Sequence, residues 1–529
     1  MNCILSQANK AVLVPRDGRS INMFPGAPAM THRSDDYLVV PWDVRNTMML
    51  RHLGYGVRNP MFHDYDFGNY SPFKVQRRTI DMLTTCPRAY VLNEMGTGKT
   101  KATLWAWDYL NKEKLCGKLL VVATLSTLRF VWQAEAFQTL PERTVKVLHG
   151  SKKRRLELLE EDADIYIINH DGLRVIQEAL SVRTDIDVLC LDELAVYRNN
   201  SDRSKAMRKF AERFKVVWGL TGRPMPNEPT DVWGQAKIVT PHTVPKFFRQ
   251  AQEMLMLKIN QFKWVPKENA LEKAVAMLQP NVRFSLDDVV ELPDVISRVI
   301  DVDLTDTQAE IYKKLAKEFK AEVGNGQVTA VNAAVAMGKL LQVSGGWVYA
   351  KELGAVPCFD TWRETMHRHE RLVELIEENE RKVIVYVPYR HAIDGLSKIL
   401  GTPARDGEKA TGAGIEHAVV HGETAGRSEI FNEFQHTTKY KVLLAHPKCV
   451  AHGLTLTAAD TIIWYMPTTS LEIYDQANAR ITRVGQKHKQ KVFHLQSTTV
   501  EKKIYAMLQR KQRVQEALLS MLEDAMGDL

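Results

Sequence analysis

The stretch YVLNEMGTGKT, Tyr90–Thr100, decides how the rest of the chain is read. The apolar run Ala89–Leu92 gives way to a turn holding Gly96 and Gly98, and Lys99-Thr100 then opens a helical pattern over Lys101–Asn111. A phosphate group is bound well at a helix N-terminus, where backbone N–H groups point inward, and glycine lets the backbone come close to it. On this reading Met95, Gly96, Thr97 and Gly98 line the phosphates of ATP. Lys99 reaches the β- and γ-phosphates and Thr100 holds Mg²⁺. The general pattern GxxxxGK[ST] asks for glycine where Asn93 stands. A glycine-containing turn ahead of a purely structural helix is therefore the plain alternative.

Working outward, further apolar runs recur between helical patterns. Leu119–Ala123, Ile165–Ile168 and Val188–Leu191 follow the loop as strand candidates. A second series comes later, at Val383–Val387, His417–Val420, Lys441–Leu444, Thr461–Tyr465 and Val492–Leu495. Such alternation predicts two α/β lobes, each a parallel sheet covered by helices. Pro245–Met277 and Thr307–Leu341, between the two series, read as helical. Residues 1–70 differ: β-like runs at Ala11–Pro15 and Tyr37–Pro41 alternate with turns, and Asp43–Leu53 reads as a short helix. These residues are read as a small accessory module.

Two further clusters carry chemistry. DIDVLCLDELA, Asp185–Ala195, is an apolar strand ending in Asp192-Glu193, 93 residues beyond Lys99. Acids at the carboxyl edge of a parallel sheet stand where ligands bind. Asp192 is expected to hold Mg²⁺ and Glu193 to orient or deprotonate the attacking water. An acidic pair that merely begins a loop is the alternative. In YDQANARITRVGQ, Tyr474–Gln486, the spacing predicts Arg480 and Arg483 on one helix face. Guanidinium forks suit charge developing on a transferring phosphoryl group. Two solvated arginines on a surface helix are the other reading.

Bulk composition narrows the class. At 529 residues the chain exceeds one ordinary core, so two or more domains are expected. No apolar run approaches the roughly 18 residues of a membrane span, and the start lacks a signal-peptide layout. The six cysteines, Cys3, Cys86, Cys116, Cys190, Cys358 and Cys449, form no CxxC pair, which argues against a zinc site or a disulfide framework. From Arg480 to Arg513 ten basic residues face one acid, Glu501, a net of +9 against +8 for the whole chain. The remainder thus sums to −1, and the stretch reads either as a phosphate-facing surface or as a solvated helix.

Over roughly residues 71–510 the motifs stand in the order of the Swi/Snf-type ATPases of helicase superfamily two, which the chain resembles. PFKVQRRTIDML, Pro72–Leu83, resembles the segment whose glutamine reads adenine, here Gln76. NEMGTGKT matches that family's form of the phosphate loop, which accounts for Asn93. LLVVATLSTLRFVWQAEAF, with Trp132 and Glu135, and IINHDGL resemble the next two motifs. LTGRPMPNEPTDVW, Leu220–Trp233, resembles the coupling motif. HGETAGRSEIFNEF, HGLTLTAAD and QANARITRVGQ, which holds Gln476 as a further nucleotide-binding candidate, match three motifs of the second lobe. RFSLDDVVELP, Arg283–Pro293, sits where the family re-enters that lobe. Ala195 replaces the family's DExH histidine, Arg223 a threonine of the coupling motif, and Thr455 a frequent asparagine.

The resemblance implies two RecA-like lobes with helical insertions. The expected division is 1–70 for the accessory module and 71–295 for the ATP-binding lobe with an insertion at about 241–290. Residues 296–529 make the second lobe, with an insertion at about 305–350 and a C-terminal basic helix. It implies an ATP-hydrolysing motor, using ATP and Mg²⁺, that moves on duplex, forked or branched DNA when the second lobe closes over the nucleotide. Replication or recombination proteins are the expected partners, a membrane is not, and a cytoplasmic setting follows. An RNA-directed helicase remains open, as does an ATP-binding regulator without turnover, which Ala195 favours.

Overall fold

A computed structural model describes residues 3–510 apart from 33, 261–263, 286–287, 289–294, 325–329, 351–353, 359–365, 402–411, 451–454 and 484–485. The chain divides into two compact units, Met1–Val290 and Glu291–Leu529.

The first unit is built on a seven-stranded sheet. Its order is Asn281–Val282, Arg88–Val91, Val216–Leu220, Ile186–Asp192, Lys118–Ala123, Ile165–Asn169 and Val145–Val147. Every pairing in it is parallel. Helices cover both faces, so successive residues of one strand enter different cores. Leu120 and Val122 pack into one apolar cluster, while Leu119, Val121 and Ala123 pack into the other. Burial on both faces is why these strands are unbroken apolar runs rather than alternating ones. The second unit repeats the plan with six parallel strands, in the order Val295–Asp301, Gln490–Gln496, Ala459–Trp464, Lys382–Tyr386, Val442–Ala445 and His417–Val420.

Residues near the N-terminus form their own antiparallel sheet of four strands, Ile4–Ser6, Ala11–Pro15, Asp35–Pro41 and Ala29–His32. The helix Val44–His52 follows, N-capped by the Asp43 carboxylate on the Asn46 N–H at 2.8 Å. Val12, Val14, Leu38, Val40, Trp42, Leu50 and Val57 make a small core of their own.

Pro245–Met277 is not helical throughout. The helices Phe248–Leu255 and Ala270–Met277 are separated by an antiparallel pair, Met256–Lys258 with Trp264–Pro266. The second helical expectation is met by Asp306–Gly324 and Ala330–Ser344. The run Arg283–Pro293 lies largely outside the described residues, as do His452–Leu454 and the basic residues Lys511 and Arg513. Among the described residues no helix is long and apolar enough to cross a membrane.

Glu501 does not offset the basic stretch at the surface. It is fully buried, and its carboxylate takes both terminal nitrogens of buried Arg368, at 2.8 and 2.6 Å. Arg368 also donates to the Tyr465 carbonyl at 3.0 Å. A buried ion pair needs such added bonds to offset the desolvation of two charges. Lys487 and Lys489 are exposed, whereas Lys491 is half-buried and donates to Asn379 Oδ1 at 3.2 Å.

Candidate active site

Three neighbouring strands of the first sheet end at one edge. In register, Leu220 pairs with Val91 on one side and with Asp192 on the other. The phosphate loop, the Thr221–Arg223 turn and the Asp192-Glu193 pair are thereby brought together. The carboxyl edge of a parallel sheet is where ligands bind in such folds.

The loop between Val91 and the helix Lys99–Lys112 depends on two glycines in the left-handed region, Gly96 at φ 82° and Gly98 at φ 76°. Gly98 precedes the first helical residue, so the loop's N–H groups gather at the helix N-terminus. Thr97 Oγ1 donates to the Glu94 carbonyl at 2.9 Å. The Lys99 ammonium folds back onto the carbonyls of Asn93 and Glu94, at 2.7 and 3.0 Å, so its charge already sits within the loop. Asn93, where the general pattern has glycine, is a structural tie. Its amide donates to Thr79 Oγ1 at 3.0 Å and accepts from the Phe284 N–H at 3.1 Å. It fastens the loop to the helix Lys74–Thr85 and to the segment after Val282.

Gln76 lies on that helix, 4% exposed. Its Oε1 accepts from the Phe73 N–H at 2.9 Å, and its Nε2 donates weakly to the Gly98 carbonyl at 3.4 Å. A Cβ on Gly98 would come within 2.3 Å of that nitrogen. The Thr221 N–H donates to the Val91 carbonyl at 3.0 Å, and a Cβ on Gly222 would touch the Asn93 carbonyl at 3.5 Å. The coupling turn is therefore packed directly on the phosphate loop. Glu135 pairs with Lys101 at 3.1 Å, joining another motif to the same helix.

Asp192 closes its strand half-buried, and its Oδ2 accepts from the Trp132 indole N–H at 2.8 Å. Trp132 is fully buried. It matters here as a donor that fixes the carboxylate, a role that a separation of 60 residues hid from the sequence. Glu193 sits at φ 54°, ψ 51°, an uncommon conformation for a side-chain-bearing residue and one that concentrates at functional sites. After it comes the short turn Leu194–Tyr197 that contains Ala195. His170 Nδ1 bonds the Tyr197 hydroxyl at 2.9 Å, and burial pushes His170 down to about 4, so the ring is neutral near pH 7. The turn that lacks a histidine of its own is thus braced by one at the end of Ile165–Asn169, two strands across the sheet.

Among the described residues no cluster of three His, Cys, Asp or Glu side chains stands ready as a protein-built metal cage. One firmly oriented carboxylate suits Mg²⁺, which keeps several waters and takes much of its shell from substrate phosphates. Asp192 and the Thr100 hydroxyl, in the first turn of the helix, fit that donor set.

In the second unit, Arg480 and Arg483 do not share a helix face. The helix Leu471–Asn478 stops before them, and both side chains bond backward, Arg480 Nε to the Gln476 carbonyl at 2.7 Å and Arg483 Nε to the Ala479 carbonyl at 3.2 Å. Carbonyls left without helical partners at the C-terminal turn are met by guanidinium groups instead. Arg483 also donates to Thr455 Oγ1 at 3.0 Å, so the residue standing in place of asparagine holds an arginine. Burial, and then the charge of Arg480, push the Arg483 guanidinium well down from its ordinary value. Gln476, 4% exposed, donates to Glu472 at 3.3 Å.

Comparison with known proteins agrees with these motifs. The family description "SNF2-related domain" matches residues 79–344, and "Helicase conserved C-terminal domain" matches 367–485. Putative protein p41 of Acyrthosiphon pisum secondary endosymbiont phage 1 is 26% identical over 86% of this chain and 99% of its own length. An ATP-dependent helicase of Mycoplasma genitalium is 24% identical over 80% of this chain, but the match spans only 39% of that longer protein. The ISWI chromatin-remodeling complex ATPase of Saccharomyces cerevisiae is 23% identical, over 81% of this chain and 38% of its own. The Sulfolobus solfataricus SWI2/SNF2 ATPase core solved with double-stranded DNA has 21% identity and a TM-score of 0.39, covering 83% of this chain and 91% of that one. Since the first description alone spans half of the sequence, the chain belongs to the SNF2-related family of helicase-like ATPases.

Proposed function

We propose that the protein is a translocase that couples ATP hydrolysis to movement on duplex or branched DNA. The observation that carries the reading is the convergence of phosphate loop, Asp192-Glu193 pair and coupling turn at one sheet edge. In this reading Gln76 exchanges its bonds to Phe73 and Gly98 for the adenine edge. The loop N–H groups from Met95 to Gly98 hold phosphate, and Lys99 turns from the loop carbonyls to the β- and γ-phosphates. Thr100 and Asp192 hold Mg²⁺, which supplies charge neutralisation when bound. Glu193 orients the water and accepts its proton. Arg480 and Arg483 provide cationic charge for the transferring group, and Gln476 supports the turn that presents them.

DNA as the track is supported by the relative named as the ATPase of a chromatin-remodeling complex. Phosphate contacts then dominate binding and sequence preference is slight. The domain reading that goes with it assigns 1–70 to an accessory module, 71–295 to the ATP-binding lobe and 296–529 to the second lobe. Measuring ATP turnover alone and with single strands, duplex, forked DNA and RNA tests the proposal. Duplex or forked DNA is expected to stimulate most. Equal or greater stimulation by RNA overturns the DNA assignment, and failure of every nucleic acid to stimulate overturns the motor.

A further inference from the structure

Between the N-terminal module and the helix Lys74–Thr85 lies a concavity of about 530 Å³ that the ATP chemistry does not use. Five of its lining residues are arginine or lysine and one, Asp81, is acidic. Asp81 is already engaged, taking both terminal nitrogens of Arg51 at 3.1 and 2.9 Å. Arg51 also donates twice to the Val57 carbonyl, at 3.0 and 2.8 Å, so this pair pins the module to the helix. Asn59 adds a second pin, donating to Thr84 Oγ1 at 2.6 Å. With that framework fixed, Arg58, Lys74, Arg77 and Arg78 are exposed and, among the described residues, none forms an ion pair.

The cations are interleaved with aromatic rings. Arg77 lies 5.2 Å from the centre of the Phe62 ring, and His63 packs on Trp42 at 5.4 Å. Trp42 is itself tied down by its indole N–H on the Arg58 carbonyl at 2.8 Å. The concavity is separate from the nucleotide loop. Lys74, Arg77, Arg78 and Asp81 recur at i, i+3, i+4 and i+7 on one helix face, whereas Gln76 is turned the other way, against Gly98. A neighbouring hollow shares Arg51, Lys74, Arg78 and Asp81 as a wall and continues to Arg283 and Asp288.

We propose that this concavity is a second nucleic-acid contact that takes an unpaired strand, with its phosphates on Arg58, Lys74 and Arg78 and a base against Phe62 and His63. Unpaired cations following a backbone, with aromatic faces between them, are the means by which single strands are held without sequence preference. A duplex presents phosphates to such a surface but no free base face, so the rings select the unpaired part of a branched substrate. The inference rests on the proposed DNA translocase and specifies which part of the DNA the module contacts.

The test uses the full chain and fluorescent DNA: a dT 20-mer, a blunt duplex and the same duplex carrying a dT tail. Arg58→Glu/Arg78→Glu is expected to bind the 20-mer and the tailed duplex at least ~10-fold more weakly. It also lowers the salt slope for the single strand by about 1.4, the value for two phosphate contacts. Blunt-duplex-stimulated ATP turnover and the melting temperature stay unchanged. Unchanged affinity for the tail, or an equal loss on the blunt duplex, overturns the proposal. As a second measurement on the unaltered chain, 5-iodouracil placed in the tail crosslinks to the peptide holding Phe62 and His63. Crosslinks found only elsewhere overturn it too. If dTMP displaces the 20-mer as well as an unlabelled strand does, the site takes free nucleotides and the strand assignment falls. Affinity is read without ATP, so failure of any DNA to stimulate turnover refutes the motor and leaves the strand contact to be judged by its own measurements.

Discussion

Gly98→Ala perturbs the junction of phosphate loop, helix start and Gln76, and its effect can be worked from the geometry. Gly98 sits at φ 76°, ψ 30°, where an alanine costs about 1–2 kcal/mol. The new Cβ would also stand 2.3 Å from Gln76 Nε2 and 3.1 Å from its Cδ, so the amide must leave. Its departure takes the amide from the position where it would meet the adenine edge and forfeits one such hydrogen bond, about 1 kcal/mol. Together these terms amount to about 2–3 kcal/mol held against the nucleotide-ready loop. At about 1.4 kcal/mol per tenfold, affinity for a fluorescent ATP analogue falls between roughly 30- and 150-fold. In a Gln76→Ala background the obstructing amide is absent, so Gly98→Ala costs only the backbone term. A double-mutant cycle over the four proteins, read by ATP-analogue titration, then gives a coupling of about 1 kcal/mol, with thermal melting as the control for folding. Strict additivity would refute the claim that Gln76 packs on this loop.

Other outcomes follow from the same edge of the sheet and from the buried histidines. Glu193→Gln keeps ATP and Mg²⁺ binding but slows single-turnover hydrolysis by at least ~100-fold, the scale of a lost general base; loss of ATP binding instead would make Glu193 structural. Trp132→Phe removes the donor to Asp192 Oδ2 and keeps an aromatic ring in the buried site, so turnover falls by about tenfold while the Mg²⁺ needed for half-maximal activity rises. An unchanged Mg²⁺ dependence would show that the bond does not position the carboxylate. Burial lowers His170 to about 4, His369 to about 3 and His494 to about 4, whereas in the unfolded chain each titrates near 6.5. The unfolded state therefore takes up protons first, and the stability given by the neutral rings is complete above pH 6.5 and lost toward pH 4, at about 1.4 kcal/mol per pH unit for each ring. Two of the three belong to the second unit, so calorimetry should show its transition falling more steeply between pH 6.5 and 4.5, and a flat response would refute the assignment.

Most strands legible in the sequence are continuous apolar runs, and His417–Val420, half-exposed on alternate residues at the sheet edge, is legible as well. His417–Val420 has the expected limits, and Lys118–Ala123 and Lys382–Tyr386 are displaced by a single residue at one or both ends. Strands that escaped reading had weaker local signals. Val145–Val147 and Asn281–Val282 have three and two residues, too few for any periodicity, and are defined by the neighbours they pair with. Val216–Leu220 is interrupted by Gly219, which reads as a break. In the folded chain that glycine is required by packing, because a Cβ there would lie 2.5 Å from Leu194 Cδ2. The arginine motif was misplaced for the converse reason. The spacing of Arg480 and Arg483 suits a helix, but their side chains satisfy the carbonyls that another helical turn would have used.

Gly219 also bears on the catalytic candidate Glu193, two strands across the sheet from the phosphate loop. Leu194 is fully buried and fills the space left above that glycine, while Tyr197 is buried and bonded to His170. The turn Leu194–Tyr197 is therefore held at both ends by residues outside it. Between this anchored turn and the strand ending at Asp192 there is one residue to make the connection, Glu193, and it is driven into the left-handed region. Glycine would adopt that conformation without the roughly 1–2 kcal/mol that a side chain adds. A glutamate in its place makes sense if the carboxylate is needed at that point, and the packing of Leu194 and Tyr197 is what keeps it there. The sequence DELA shows an acid pair and a small residue. The strain that aims the second acid depends on Gly219 and His170, which lie on other strands or at their ends, and this is why it could not be read locally.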